Sequence, residues 1–234
     1  MAKINDVIIT GKLKNLVFYE RLGTLCVRTI PVNVRQTKGT KKNAKTFGQA
    51  AKIMKYLREG LLPVISPVKD TYTANRFNIA IHQWLKSADR NIGLSSINSF
   101  QFNEKANLAD RLGFIPATDW TDPAIVRIHI PAIIPTKQIK APKNTTHIHW
   151  TVIITGSKVE QPCLTSNLSI LIDTVWNDEL VPARTIEFPY RLNPDSINVV
   201  AMLMQYSVKC KMTTQRMDDK QWMASGIIAA KFKE

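Results

Sequence analysis

From Ala124 to Phe232 the chain is written in short runs of branched and aromatic residues: AIVRIHI, HIHWTVIIT, NLSILIDTVW, ARTIEFPYRL, INVVAMLMQYSVKCKM and WMASGIIAAKF. Such residues suit a pleated, half-buried surface. Turn clusters separate several of the runs, among them Thr155-Gly156-Ser157, Asn177-Asp178 and Asn193-Pro194-Asp195. Arg127-Ile128-His129-Ile130 and the stretch from Ser169 to Asp173 alternate as a sheet with one wet face does. Six strands at this spacing predict an antiparallel β-sandwich, immunoglobulin-like, over residues 116–234. Residues 131–146, with three prolines and three lysines, read as a long exposed loop.

The first 115 residues have a different rhythm. Val7-Ile8-Ile9, Leu16–Tyr19 and Leu25–Arg28 are β-favouring runs, and Leu16–Tyr19 against Thr24–Arg28 predicts a hairpin. Phe47, Ala50, Ala51, Met54, Leu57 and Leu61 then recur at helical spacing, predicting a helix over Thr46–Leu62. Thr46 with Gln49 has the spacing of a capping box, and Pro63 closes the element. A second stripe, Phe77, Ala80, Ile81, Trp84, Leu85 and Ala88, predicts a helix over Thr73–Ala88. Asn103–Leu112 could form a short helix ended by Gly113. The expected class is therefore α+β: an N-terminal β-hairpin and two-helix segment over residues 1–115, followed by the sandwich.

Charge divides the chain in the same place. Residues 1–90 hold 17 Lys and Arg against 5 acids, whereas residues 151–234 hold nine of each, so most of the net +14 sits at the N-terminal end. RQTKGTKKNAK, Arg35 to Lys45, carries five cations and no carboxylate. Such an asymmetry points to an anionic partner for this region. Apolar content of 44% is that of a folded domain and excludes wholesale disorder. Cys26, Cys163 and Cys210 are too far apart and too few for a disulfide framework. The start MAKINDVIITGKLKN lacks the apolar core of a signal peptide, and no run of about eighteen apolar residues occurs, so cytoplasmic synthesis without a membrane span is expected. That expectation is compatible with a place in a phage-like or other intracellular assembly.

The order of N-terminal features carries a resemblance. Lys3-Ile4, Gly11-Lys12-Leu13-Lys14-Asn15-Leu16-Val17, Val27-Arg28-Thr29-Ile30-Pro31, Thr40, Phe47-Gly48-Gln49-Ala50, Asn75 and Phe77 to Ala80 together resemble an uncharacterised family of small basic proteins from Bacteroidota. The final run Met223 to Ala230 is similar to that family's small-residue ending, and the first hairpin has fewer glycines than its usual pattern. The resemblance implies an N-terminal hairpin, a helical segment and a β-rich C-terminal half. It implies no assigned activity, so it carries over no functional residue.

Three chemistries are worth weighing. His147 and His149 project from one face of a strand, and His129 on another strand could complete three imidazoles of the kind that hold zinc. A surface histidine pair explains the same residues without metal, no carboxylate lies close by in sequence, and no cofactor is expected. The Gly-x-Ser-x-Gly elbow and the Gly-rich phosphate loops are absent. Nucleic-acid binding is better motivated, through Lys38, Lys41, Lys42 and Lys45 on a flexible arm, Arg28 and Arg35 continuing it onto the hairpin, and Lys52 and Lys55 on the helix. Interleaved aromatic platforms are missing, so such binding would be electrostatic. The leading expectation is a non-enzymatic self-assembling or scaffolding protein, a homo-oligomer or the companion of an acidic protein, contacting its partner through those same cations. Nucleic acid is the alternative partner.

Overall fold

The structure is a computed structural model that describes residues 3–5, 8–31, 37–210 and 213–234. The chain forms two compact units, Met1–Asn43 and Ala44–Glu234. The first is a four-stranded antiparallel meander of β1 (Lys3–Asn5), β2 (Ile8–Leu13), β3 (Leu16–Arg21) and β4 (Thr24–Thr29). Its tight turns sit at Lys14-Asn15 and Leu22-Gly23, where Lys14, Leu22 and Gly23 take positive φ. The expected hairpin is β3–β4, with Leu16 opposite Thr29 and Arg21 opposite Thr24.

Helix α1 runs over Lys38–Gly60, eight residues earlier than the apolar stripe suggests. Its true cap is Thr37, whose Oγ1 accepts the Thr40 N–H at 3.1 Å. Thr46 is therefore an interior residue, and Gln49 reaches away to donate to the Val159 carbonyl at 3.0 Å. Ala50, Ile53, Leu57 and Gly60 are buried on its inner face. Then come α2 (Leu62–Ile65), α3 (Thr73–Lys86), a 3-10 turn at Ile92–Ser96 and α4 (Leu108–Arg111). The α4 turn is shorter than expected, because Asn107 caps it by accepting the Ala109 N–H at 2.9 Å.

The centre of the second unit is a five-stranded antiparallel sheet. Strand β10 (Ser196–Cys210) pairs along one side with β7 (Thr145–Lys158), which pairs in turn with β8 (Leu164–Val175). Along its other side β10 pairs with β12 (Ala224–Lys233) through Met204 and with β11 (Thr213–Arg216) from Ser207 onward. A smaller sheet joins β5 (Ala117–Asp119), β6 (Val126–Ile130) and β9 (Arg184–Phe188). All six expected C-terminal strands are present, as β6 to β10 and β12.

Ser196–Met204 is buried without a break, because both faces of this part of the central sheet are covered. Ile197, Val199, Ala201 and Leu203 join Ile53, Leu57, Phe77, Ile81 and Trp84 of the helices in one core. Val200, Met202 and Met204 join Val126 and Ile128 of β6 and Ile186 and Phe188 of β9 in the other. The layers are thus helices, five-stranded sheet and three-stranded sheet. Residue 115 lies inside the second unit, since the helices of residues 44–115 complete a core with the strands.

Residues 131–146 correct the expectation of an exposed loop. Ile133, Pro135, Ile139 and Pro142 are buried, a single turn α5 (Pro135–Gln138) interrupts the segment, and Ile133 and Val181 exchange backbone hydrogen bonds of 3.0 and 2.8 Å. The Tyr206 hydroxyl donates to the Lys140 carbonyl at 2.8 Å and anchors it from the central sheet.

Candidate docking surface

In an antiparallel pair, directly opposed residues share a face of the sheet. In the first unit Leu13 opposes Leu16, Phe18 opposes Val27, and Glu20 opposes Leu25. Lys12 opposes Val17, which in turn opposes Arg28, while Tyr19 opposes Cys26 and Arg21 opposes Thr24. The pleat therefore sorts the side chains. One face carries Leu13, Leu16, Phe18, Leu25 and Val27 with a single charge, Glu20. The other carries Lys12, Arg21 and Arg28, with the Arg28 guanidinium 5.9 Å from the Tyr19 ring centroid.

Within this unit the described strands leave the apolar face open. Leu13 is 55% exposed, Leu25 47% and Val27 51%, and among described residues 9–31 none is buried. Burying one aliphatic side chain of this size stabilises by about 1.5–3 kcal/mol. Leu16 and Phe18 are only half-buried, so this sheet forgoes part of that gain. The segregation is legible in the alternation of the sequence, but only once the register of three strands is known.

The expected cations fall in three places. Arg28 lies on β4, and Arg35 falls outside the described residues. Lys38, Lys41 and Lys42 are exposed in the part of α1 that belongs to the first unit, so this stretch is helical and not the flexible arm expected. In the second unit Lys45, Lys52 and Lys55 are exposed at spacings of seven and three residues, one stripe turned away from Ala50, Ile53 and Leu57. Lys55 Nζ stands 5.5 Å from the Tyr56 ring centroid.

The histidines do not converge. His147 and His149 share a face of β7 and stack with ring centroids 6.5 Å apart. His129 is on the smaller sheet, where its Nδ1 lies 2.9 Å from Thr185 Oγ1. Among the described residues no group of three or more His, Cys, Asp or Glu side chains could hold a metal ion. The His149 ring is already committed: Nδ1–H donates to Asp173 Oδ1 at 2.5 Å and Nε2 lies 2.7 Å from Ser207 Oγ. The carboxylate missing near His149 in the sequence is thus supplied by the neighbouring strand. Carboxylate, imidazole and hydroxyl in a row are the parts of an activated nucleophile. At Ser207 β10 is paired on both sides, opposite His147 of β7 and Arg216 of β11, with a register shift beside it at Val208.

No protein-family model, curated protein or solved structure matches this chain. Among the described residues no helix is long and apolar enough to cross a membrane.

Proposed function

We propose that the chain is a self-assembling or scaffolding protein, without an enzymatic role, whose N-terminal unit docks onto partners. The observation that carries this reading is the four-stranded sheet sorted into an apolar and a basic face with none of its described side chains buried. Residues 1–43 hold nine Lys and Arg against two acids, so a partner meeting the basic face is acidic. An immunoglobulin-like scaffold is proposed only for the two sheets of the second unit, which share one core. Membership of the small basic Bacteroidota family belongs to the same proposal and rests on the residues that carry the resemblance. The test is light scattering on the full chain across a hundredfold concentration range. Mass above 26.5 kDa supports assembly, and a monomer throughout overturns self-assembly.

A second reading, non-specific nucleic-acid binding, is favoured by the exposed stripe of Lys45, Lys52 and Lys55. It is distinguished by the salt dependence of oligonucleotide binding, taken up in the Discussion.

A further inference from the structure

We infer that the apolar face of the four-stranded sheet is covered by the same face of a second copy, the two sheets packing with their strands antiparallel about a two-fold axis. This rests on the assembly reading above and names its partner.

The distribution of charge selects the occupant. The face of Leu13, Leu16, Phe18, Leu25 and Val27 contains no cation, since Lys12, Arg21 and Arg28 all project from the opposite side. Two copies can therefore close face to face, as paired sheets do at about 10 Å, without opposing or desolvating any Lys or Arg. An acidic protein or a nucleic acid is drawn instead to the basic face, which this arrangement leaves outward on both copies. Self-association and recruitment of an anionic partner then use opposite sides of one sheet.

Charge also selects the direction. Glu20 lies near the Leu22-Gly23 end of the apolar face, and the Lys14-Asn15 turn closes the other end. A parallel stacking gathers both Glu20 carboxylates at one end and both Lys14 side chains at the other. The antiparallel stacking carries each Glu20 toward the partner's Lys14 turn, twice by symmetry. The footprint is small: four strands of up to six residues cover roughly 400 Å² per copy, against about 800 Å² in a standard interface. The dimer is therefore reversible and concentration-dependent.

Sedimentation velocity on the full chain tests this, with Val27→Glu, Lys14→Glu, Glu20→Lys and the Lys14→Glu/Glu20→Lys double variant. Circular dichroism of each variant confirms that it folds. The expected result is a monomer–dimer equilibrium weakened at least tenfold by Val27→Glu. Each charge reversal alone weakens it roughly fivefold, and the double variant recovers it, as exposed ion pairs formed twice allow. A dimer indifferent to Val27→Glu overturns the inference and leaves the assembly reading standing. A monomer at every concentration overturns both. A monomer whose unfolding midpoint falls with Val27→Glu shows the face covered within its own chain, and loss of DNA or anionic-vesicle binding in that variant assigns it to another occupant. Either outcome overturns the proposal. A dimer weakened by Val27→Glu but not rescued by the double reversal overturns the antiparallel direction.

Discussion

His149 and Asp173 face each other across β7 and β8 with Nδ1 and Oδ1 2.5 Å apart, and the same ring meets Ser207 of β10 at 2.7 Å. Three adjacent strands are thus tied by one side chain. The pair is half in water, with side-chain exposures of 14% and 59%, so its worth is that of two hydrogen bonds and not of a buried ion pair. His149→Ala should cost about 1–2 kcal/mol in urea denaturation, and Asp173→Ala about 1 kcal/mol or less. A double-mutant cycle of His149 with Ser207 should show coupling. Because both ring nitrogens are engaged, zinc should leave the thermal midpoint unchanged; a clear rise on metal addition would mean the histidines do bind it.

Gly60 sets two effects against each other. It is the last residue of α1 and has no positive φ, so alanine gains at most about 1 kcal/mol of helix propensity there. A Cβ there would overlap Thr155 Oγ1 and lie 2.9 Å from its Cβ, inside the packed boundary between α1 and β7. Overpacking of this kind costs about 1–3 kcal/mol, and because Thr155 is fully buried its side chain has nowhere to retreat. Gly60→Ala should therefore destabilise, and Gly60→Ala with Thr155→Gly should recover part of the loss. Chemical denaturation of the two variants decides the sign.

The C-terminal strands were legible because each run carries its β preference locally. Their covering was not: Val199-Val200-Ala201-Met202-Leu203-Met204 lacks alternation, the mark of a strand with both faces buried, yet only the register shows that helices take one face and β6 and β9 the other. Thr46 misled because a Thr-x-x-Gln spacing can occur inside a helix as well as at its start. Prolines made residues 131–146 look exposed, whereas Ile133 and Ile139 bury themselves and Lys140 is held by Tyr206, sixty-six residues away. For the docking surface, the cations were visible from composition alone. The apolar face beside them was not, since it needs three strands in register to assemble.

Replacing Lys45, Lys52 and Lys55 with alanine separates the two functional readings. The three side chains stand clear of the core, so thermal stability should change little. If the stripe meets phosphates, affinity for a DNA duplex should fall and its dependence on log salt should flatten by up to about 0.9 for each phosphate no longer neutralised, roughly 3 in all. An unchanged slope, measured by fluorescence anisotropy at several salt concentrations, removes nucleic acid as the partner of this stripe.

Asp70 gives the fold an acid-sensitive joint. Its partial burial opposes ionisation, but the Thr73 hydroxyl at 2.8 Å, the N–H groups of Tyr72 and Thr73 at 2.7 and 2.6 Å and the nearby Arg76 together hold the carboxyl below its ordinary value of 3.8. These bonds satisfy the free donors at the start of α3, the helix that brings Phe77, Ile81 and Trp84 into the core. A carboxylate whose folded pKa is lowered contributes stability that is fully present above its unfolded value and is lost as pH falls through the folded one. Asp70→Ala should cost about 1 kcal/mol at neutral pH, the usual loss for a helix cap. The gap between wild type and variant should narrow as pH falls through the lowered folded pKa and the wild-type carboxylate protonates. Urea midpoints of both proteins, followed from pH 7 down to the acid limit of folding, measure this; a gap that stays constant as pH falls would mean that the charge on Asp70 plays no part in holding α3.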